Sequence, residues 1–371
     1  SSIIAFRVPK NLKGGFLMAA AHSDSPTFKI KENPEHPAVG HYIQLNTEKY
    51  GGSLMATWFD RPLSVAGRVL VQQDGAIAVK PVAVEEDLLV IPSVAIHMNR
   101  SANDGYKWNP VSDTVPLVGS KEAAGKLQQV LEEAAGGKIL GHDLYLYIRQ
   151  KATVWGLEEE YISSAALDDL QCAWGCTQGF LNAGESSSLP VLCVFDSEEV
   201  GSNSMQGAAS MLLPDTLERI CEALELDLKQ MLAQSFMVSA DNAHAAHPNH
   251  PEYADAGNAP VMGGGVVLKF NASQRYTTDG LSAAIFRKVC AEAGVKVQSY
   301  CNRADIAGGS TLGHISLTHV SVPTADIGLP QLAMHSCFET AGIQDAIYLE
   351  DAMAAFYSCS LEVSGGNYIL K

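Results

Sequence analysis

Between residues 36 and 154 short runs alternate apolar and polar positions, among them Ser64–Val71, Ala76–Val84 and Leu144–Ile148. They are rich in β-branched residues and separated by turn residues, a period of two that predicts half-buried strands. Only Lys121–Ala134, with apolar Leu127, Val130 and Leu131, has clear helical spacing in this stretch. From about 155 the texture changes. Helical patterns over 165–181, 213–234, 279–293 and 344–360 alternate with short apolar runs, which predicts an α/β sheet. Gly184 and Gly294 stand where left-handed helix stops belong, and Pro214 and Asp279 lie near helix starts. The early run Phe16–Ala21 shares this second texture. The expectation is a discontinuous α/β domain, 1–35 plus 155–371, interrupted by a β-rich insert, 36–154.

Size and charge narrow the function. At 371 residues the chain is long enough for about two domains. Its 47% apolar and 18% charged residues suit a globular enzyme. Asp plus Glu outnumber Lys plus Arg by 41 to 25, a net charge of −16 that excludes a broad grip on nucleic acid or anionic lipid. No apolar run approaches the roughly 18 residues of a membrane span. The eight cysteines form no C-x-x-C pair, and Cys172 and Cys176 sit within a helical pattern. They read as reduced core residues, and a cytoplasmic setting is expected.

Four apolar runs end in acids or histidine: Phe16–Ala21 in His22 and Asp24, Val191–Phe195 in Glu198 and Glu199, Phe236–Val238 in Asp241, and Leu332–Met334 in His335. Asp168 opens the helical pattern near 165. Open α/β sheets bind ligands beyond the carboxyl ends of their strands. Each residue alone has a structural explanation: a helix start, a solvated strand end, a turn, a hydrogen-bonded core histidine. Together, two imidazoles and three carboxylates without thiols suit zinc or a similar metal. With one carboxylate shared, five ligands furnish three to each of two ions, leaving Glu198 or Glu199 to move a proton. No phosphate-loop, dinucleotide, G-x-S-x-G or H-E-x-x-H motif is present. A dispersed Ser/His/Asp triad stays open.

The segments His22-Ser23-Asp24-Ser25-Pro26, Leu167-Asp168-Asp169-Leu170, Phe195-Asp196-Ser197-Glu198-Glu199-Val200-Gly201-Ser202, Ser239-Ala240-Asp241-Asn242-Ala243-His244 and Met334-His335-Ser336 occur in this order. Tyr50-Gly51-Gly52, Thr57-Trp58-Phe59-Asp60-Arg61 and Gln274-Arg275-Tyr276 accompany them. Over nearly its whole length the chain resembles the aspartyl aminopeptidase and aminopeptidase I family of dinuclear zinc exopeptidases. The resemblance implies a zinc-peptidase-like α/β fold, with a mixed, largely parallel sheet flanked by helices and an inserted β-rich dimerisation domain. It implies two Zn²⁺ per subunit, replaceable by Mn²⁺ or Co²⁺. His22 and Asp241 would hold one ion, Glu199 and His335 the other, and Asp168 both.

By the same resemblance Glu198 is the general base and acid, working with a metal-bound hydroxide, and Asp24 orients His22. His97 completes a neighbour's site in a homo-oligomer, a dodecamer built from dimers. The substrates implied are peptides with a free N-terminus. Lys269 stands where the family places a basic contact for an acidic (Asp or Glu) first residue, and His244 lies in the loop after Asp241. The peptide between Asp168 and Asp169 is expected to be cis. Two departures stand out: Asp169 replaces a common Asn, and Cys337-Phe338 follows Ser336 where relatives often carry an arginine. Three other readings remain: a neutral, leucine-type preference, a dinuclear zinc amidase or deacylase, and a non-catalytic assembly subunit.

Overall fold

The computed structural model describes residues 1–371 and divides into two compact units. The first comprises 1–25, 153–334 and 339–371; the second comprises 26–152 and the four residues His335–Phe338.

The first unit is built on a seven-stranded sheet, in spatial order Ile3–Phe6, Leu189–Phe195, Phe16–His22, Phe236–Ala240, Thr324–Gly328, Val266–Phe270 and Val297–Cys301. The four strands Leu189–Phe195, Phe16–His22, Phe236–Ala240 and Thr324–Gly328 run parallel. Ile3–Phe6 joins antiparallel, and so does the Val266–Phe270 pairing with Thr324–Gly328. The sheet is thus mixed and largely parallel, as expected.

Its central strand shows why such runs read as continuously apolar. Every residue of Phe16–His22 is buried. Leu17, Ala19 and Ala21 enter one core with the helices Leu167–Asn182, Gly280–Glu292 and Ile343–Ser358. Phe16, Met18 and Ala20 enter the other, against Leu212–Ala223. Alternate side chains of one strand therefore serve two layers. The parallel register aligns Phe195 with His22 and Ser239 with Ala20, so three neighbouring strands release their next residues at one edge.

The stretch 213–234 is not one helix. It forms Leu212–Ala223 and Leu228–Ala233, because Glu225 turns left-handed and the Asp227 carboxylate accepts the Gln230 N–H, starting a new helix. The expected start at Asp279 is a capping box with Ser282.

The second unit is a six-stranded antiparallel sheet carrying the helix Lys126–Ala135. It begins at Pro26, ten residues before the texture changes, because Thr27–Ala38 pairs with Tyr42–Tyr50 and Ile139–Ile148. Lys29 joins Asp143 at 2.8 Å within it. None of the eight cysteines is in a disulfide, and six are buried. No helix is long and apolar enough to cross a membrane.

Two glycines let Leu167–Asn182 lie close against Ile343–Ser358. A Cβ on Gly175 would meet Leu349 Cδ2 at 2.7 Å, and one on Gly179 would meet Met353 Cβ at 2.4 Å and the Ala354 nitrogen at 2.8 Å. Backbone cannot yield as a flexible side-chain tip does. Gly179→Ala is therefore expected to destabilise the protein by about 1–3 kcal/mol, despite Ala's better helix propensity, read as a lower urea midpoint.

Candidate metal centre

His22 closes the central strand and is 1% exposed. Its Nδ1 lies 3.0 Å from the Asp24 carbonyl and 3.4 Å from Asp24 Oδ1. Its Nε2 faces the other way, 3.7 Å from Asp168 Oδ1 and 4.0 Å from Asp241 Oδ1. One face of the ring is thus held and the other is presented to carboxylates, an arrangement that suits a metal-ligating imidazole.

Asp168 and Asp169 are joined by a cis peptide, as expected. Both have non-helical backbone angles inside Leu167–Asn182, so regular helix begins after them. The Asp168 N–H donates to Glu339 Oε2 at 2.9 Å, and Ser25 Oγ donates to the Asp168 carbonyl at 2.8 Å. Asp169 Oδ2 accepts the His22 N–H at 3.2 Å.

Successive residues of a strand face opposite ways, so Glu198 and Glu199 can serve one site only if the strand has ended. It has: Leu189–Phe195 stops three residues earlier, Ser197 is left-handed, and Glu198–Val200 is a single tight turn. The two oxygens of Asp24 accept the N–H groups of Glu198 and Glu199, at 3.0 and 3.1 Å. Asp24 therefore touches both the imidazole and the acidic turn. Asp241 follows Phe236–Ala240, and its N–H continues the sheet by donating to the Ile327 carbonyl.

The electrostatics are those of crowded anions in a dry place. One donor atom from each of His22, Asp168, Asp169 and Asp241 lies within 4.8 Å of the others, and His22, Glu198 and Glu199 form a second such group. Burial opposes protonation of His22, but Asp169, Asp24, Asp241 and Asp168 together raise its pKa well above the usual value. Burial, with Asp241 and Asp168 adding to it, pushes Glu198 up to about 7. Burial lifts Asp241 to about 6 against the pull of Lys269. Buried carboxylates of this density call for cations. The donors are one imidazole and several carboxylate oxygens, with no thiolate among them, so the residues fit zinc or a similar borderline ion.

Four further residues are expected to serve the site. His335 packs with the second unit, its Nδ1 3.2 Å from the Gly52 carbonyl and its own carbonyl accepting from Leu54. Cys337 N–H donates to Thr57 Oγ1 at 3.0 Å, so two distant motifs meet there. His97 is exposed on the long connection between Ile91 and Leu117. His244 is exposed, edge-on to Tyr300, at a cavity of about 270 Å³ lined also by His247, His250 and Tyr253. Lys269, expected at a substrate pocket, is 1% exposed; its Nζ donates to the Asp241 carbonyl at 2.6 Å.

Glu339 and Gln331 went unnoticed in the sequence. Both are buried and link to the site: Glu339 accepts the Asp168 N–H, and Gln331 Oε1 accepts from Asn242 at 2.9 Å. Their signal, an acid and an amide in short strands, is too common to single out.

A buried imidazole–carboxylate cluster on the carboxyl edge of a mixed sheet is the layout of a metal-dependent hydrolase. The aminopeptidase I zinc metalloprotease (M18) family matches residues 1–357. A protein of Clostridium acetobutylicum named a probable M18 family aminopeptidase 2 is 43% identical over 372 residues, spanning 96% of this chain and 86% of that one. Among solved structures, the Ape4 and Nbr1 complex superposes with a TM-score of 0.93 at 37% identity, covering 96% of this chain and 74% of that one. The mApe1 dodecamer of S. cerevisiae gives 0.84 at 25% identity, covering 96% and 83%. The chain belongs to the M18 family of zinc metallo-aminopeptidases.

Replacing Asp24 removes contacts to His22 and to the turn that carries Glu198 and Glu199. Asp24→Ala is expected to lower zinc affinity about 10- to 100-fold, measured by competition with a chelating dye.

Proposed function

We propose that the chain removes single N-terminal residues from peptides at two zinc ions, with Mn²⁺ or Co²⁺ able to replace them. His22 and Asp241 would hold one ion, Glu199 and His335 the other, and Asp168 would serve both. The observation that carries this reading is the gathering of His22 with Asp168 and Asp241, and with Glu198 and Glu199, on one buried edge.

When bound, the ions supply a water acidic enough to ionise near neutral pH and an electrophile for the scissile carbonyl. Glu198, the acid the ligand set does not use, takes the proton from the attacking water. As the C–N bond breaks, it returns that proton to the leaving amine. Its elevation to about 7 suits a group that must both accept and donate near neutrality. Asp24 keeps the turn bearing Glu198 still by its two hydrogen bonds. His97 of a neighbouring copy donates to the developing oxyanion. We place the assembly surface on the second unit and propose dimers that build a dodecamer. The exposure of His97, and of Ile96 and Met98 beside it, is what a residue meant for a neighbour requires.

The proposed substrates are peptides with a free N-terminus and an acidic first residue, on the strength of the resemblance to aspartyl aminopeptidases. A neutral preference is the second reading. It is favoured by the burial of Lys269, the cation that acidic selection relied on.

Hydrolysis of Asp-, Glu- and Leu-p-nitroanilide, each with and without an N-acetyl block, separates these readings on zinc-loaded protein. Activity on Asp and Glu that acetylation abolishes supports the first, and a leucine preference supports the second. Cleavage of the blocked substrates would sink the exopeptidase reading. Glu198→Gln is expected to cut kcat by about 10²- to 10⁴-fold while zinc content, measured by atomic emission, stays unchanged.

A further inference from the structure

The second unit holds a cavity of about 330 Å³, lined by the strands Thr27–Ala38 and Ile139–Ile148 and the helix Lys126–Ala135. Two irregularities open it. Thr27–Ala38 pairs with Tyr42–Tyr50 at Ile30–Thr47 and next at Glu35–Leu45, so four residues of one strand stand against one of its partner. Ile139–Ile148 pairs with Leu63–Gln73 at Gly141–Leu70 and next at Ile139–Val71, which leaves Leu140 as an extra residue. The two irregular strands pair with each other at Lys29–Tyr145. Beyond that pair both bulge, and Leu127 and Leu131 of the helix line the gap. Bulges recur beside functional sites because they re-aim side chains.

The lining is apolar below and acidic at its polar positions. Ile30, Leu127, Leu131 and Leu144 are at most 5% exposed. Glu32 and Glu35 stand in the wall, and no Lys or Arg does. Glu35 Oε2 accepts the Gly125 N–H at 2.6 Å, just ahead of the helix, where the helix dipole favours a carboxylate. Its other oxygen, Oε1, is buried without a hydrogen-bond partner, and so is Nδ1 of His142, another lining residue. Buried polar atoms are normally paired, so two orphans in one cavity point to a ligand that supplies their partners. Glu32, Glu35 and His142 do not converge on one point as the metal-centre donors do, and a bare ion would leave the apolar floor uncovered. A ligand carboxylate would be repelled by Glu35.

We propose that this cavity is a binding site for a small aliphatic amine: its ammonium donates to Glu35 Oε1 and His142 Nδ1, and its hydrocarbon stem lies on Ile30, Leu127, Leu131 and Leu144. An ammonium offers three donors and no acceptor, which suits two unpaired acceptors, one of them a carboxylate oxygen. To accept, His142 carries its own proton on Nε2. The bound amine joins the start of the helix to the strand Ile139–Ile148 and so stabilises the folded chain by mass action. None of these residues belongs to the metal centre, and the proposal does not depend on the metal reading.

Calorimetric titration of the full, zinc-loaded chain with pentylamine, pentan-1-ol and pentanoate tests this. Pentylamine is expected to bind at least about tenfold more tightly than the alcohol of the same length, and pentanoate not to bind. Its affinity is expected to fall about tenfold or more in Glu35→Gln, which keeps an acceptor for the Gly125 N–H but loses the charge. An amine held by the zinc ions would bind Glu35→Gln as tightly as wild type, and that result overturns the proposal. So does an alcohol that binds as tightly as the amine, or an absence of pentylamine binding. If Glu35→Gln does not fold, His142→Phe, which removes the second acceptor, is read in the same way.

Discussion

Like charges packed into a dry edge repel, and the first unit is organised around holding them there. Two carboxylates about 4 Å apart oppose each other by about 4 kcal/mol at an effective dielectric near 20. Asp168, Asp169, Asp241, Glu198 and Glu199 all converge on His22. No loop would keep them together unaided. Four of the five are gripped through their main chain instead: Asp168 by Glu339, Glu198 and Glu199 by Asp24, Asp241 by Lys269 and the neighbouring strand. The repulsion that remains is what makes the cluster a receptacle for divalent cations.

This demand explains the sheet beneath it. Three parallel neighbours in fixed register end together, and a strand buried on both faces cannot slide without exchanging its two cores. The close packing of Leu167–Asn182 on Ile343–Ser358, at Gly175 and Gly179, holds the helix that follows Asp168 and Asp169. Rigidity of the scaffold is thus the condition for the chemistry, since a site must be held within a fraction of an ångström.

Much of the fold was legible. The change of texture, the continuous apolar runs and the capping residues led to the α/β architecture and most of its helices, because these signals are local. The stretch 213–234 was harder, since its apolar spacing continues through the break and only the Asp227 cap interrupts it. The start of the second unit was also hidden: the composition of Thr27–Pro34 does not tell which sheet its strand joins, and pairing with residues more than a hundred positions away decides it.

At the site, the sequence by itself determined the inventory: which acids and histidines follow which apolar runs, in an order that identifies the family. Strand ends and ligand-type residues are written locally, and their order survives in the chain. Only the tertiary structure decided direction and partnership. It turned the two oxygens of Asp241 to different neighbours, recruited Glu339 and Gln331 from two short paired strands, and buried Lys269 against main-chain carbonyls. The physical reason is that a side chain's role depends on what lies within a few ångströms of its polar atoms. Those neighbours come from segments that only the packed sheet brings together.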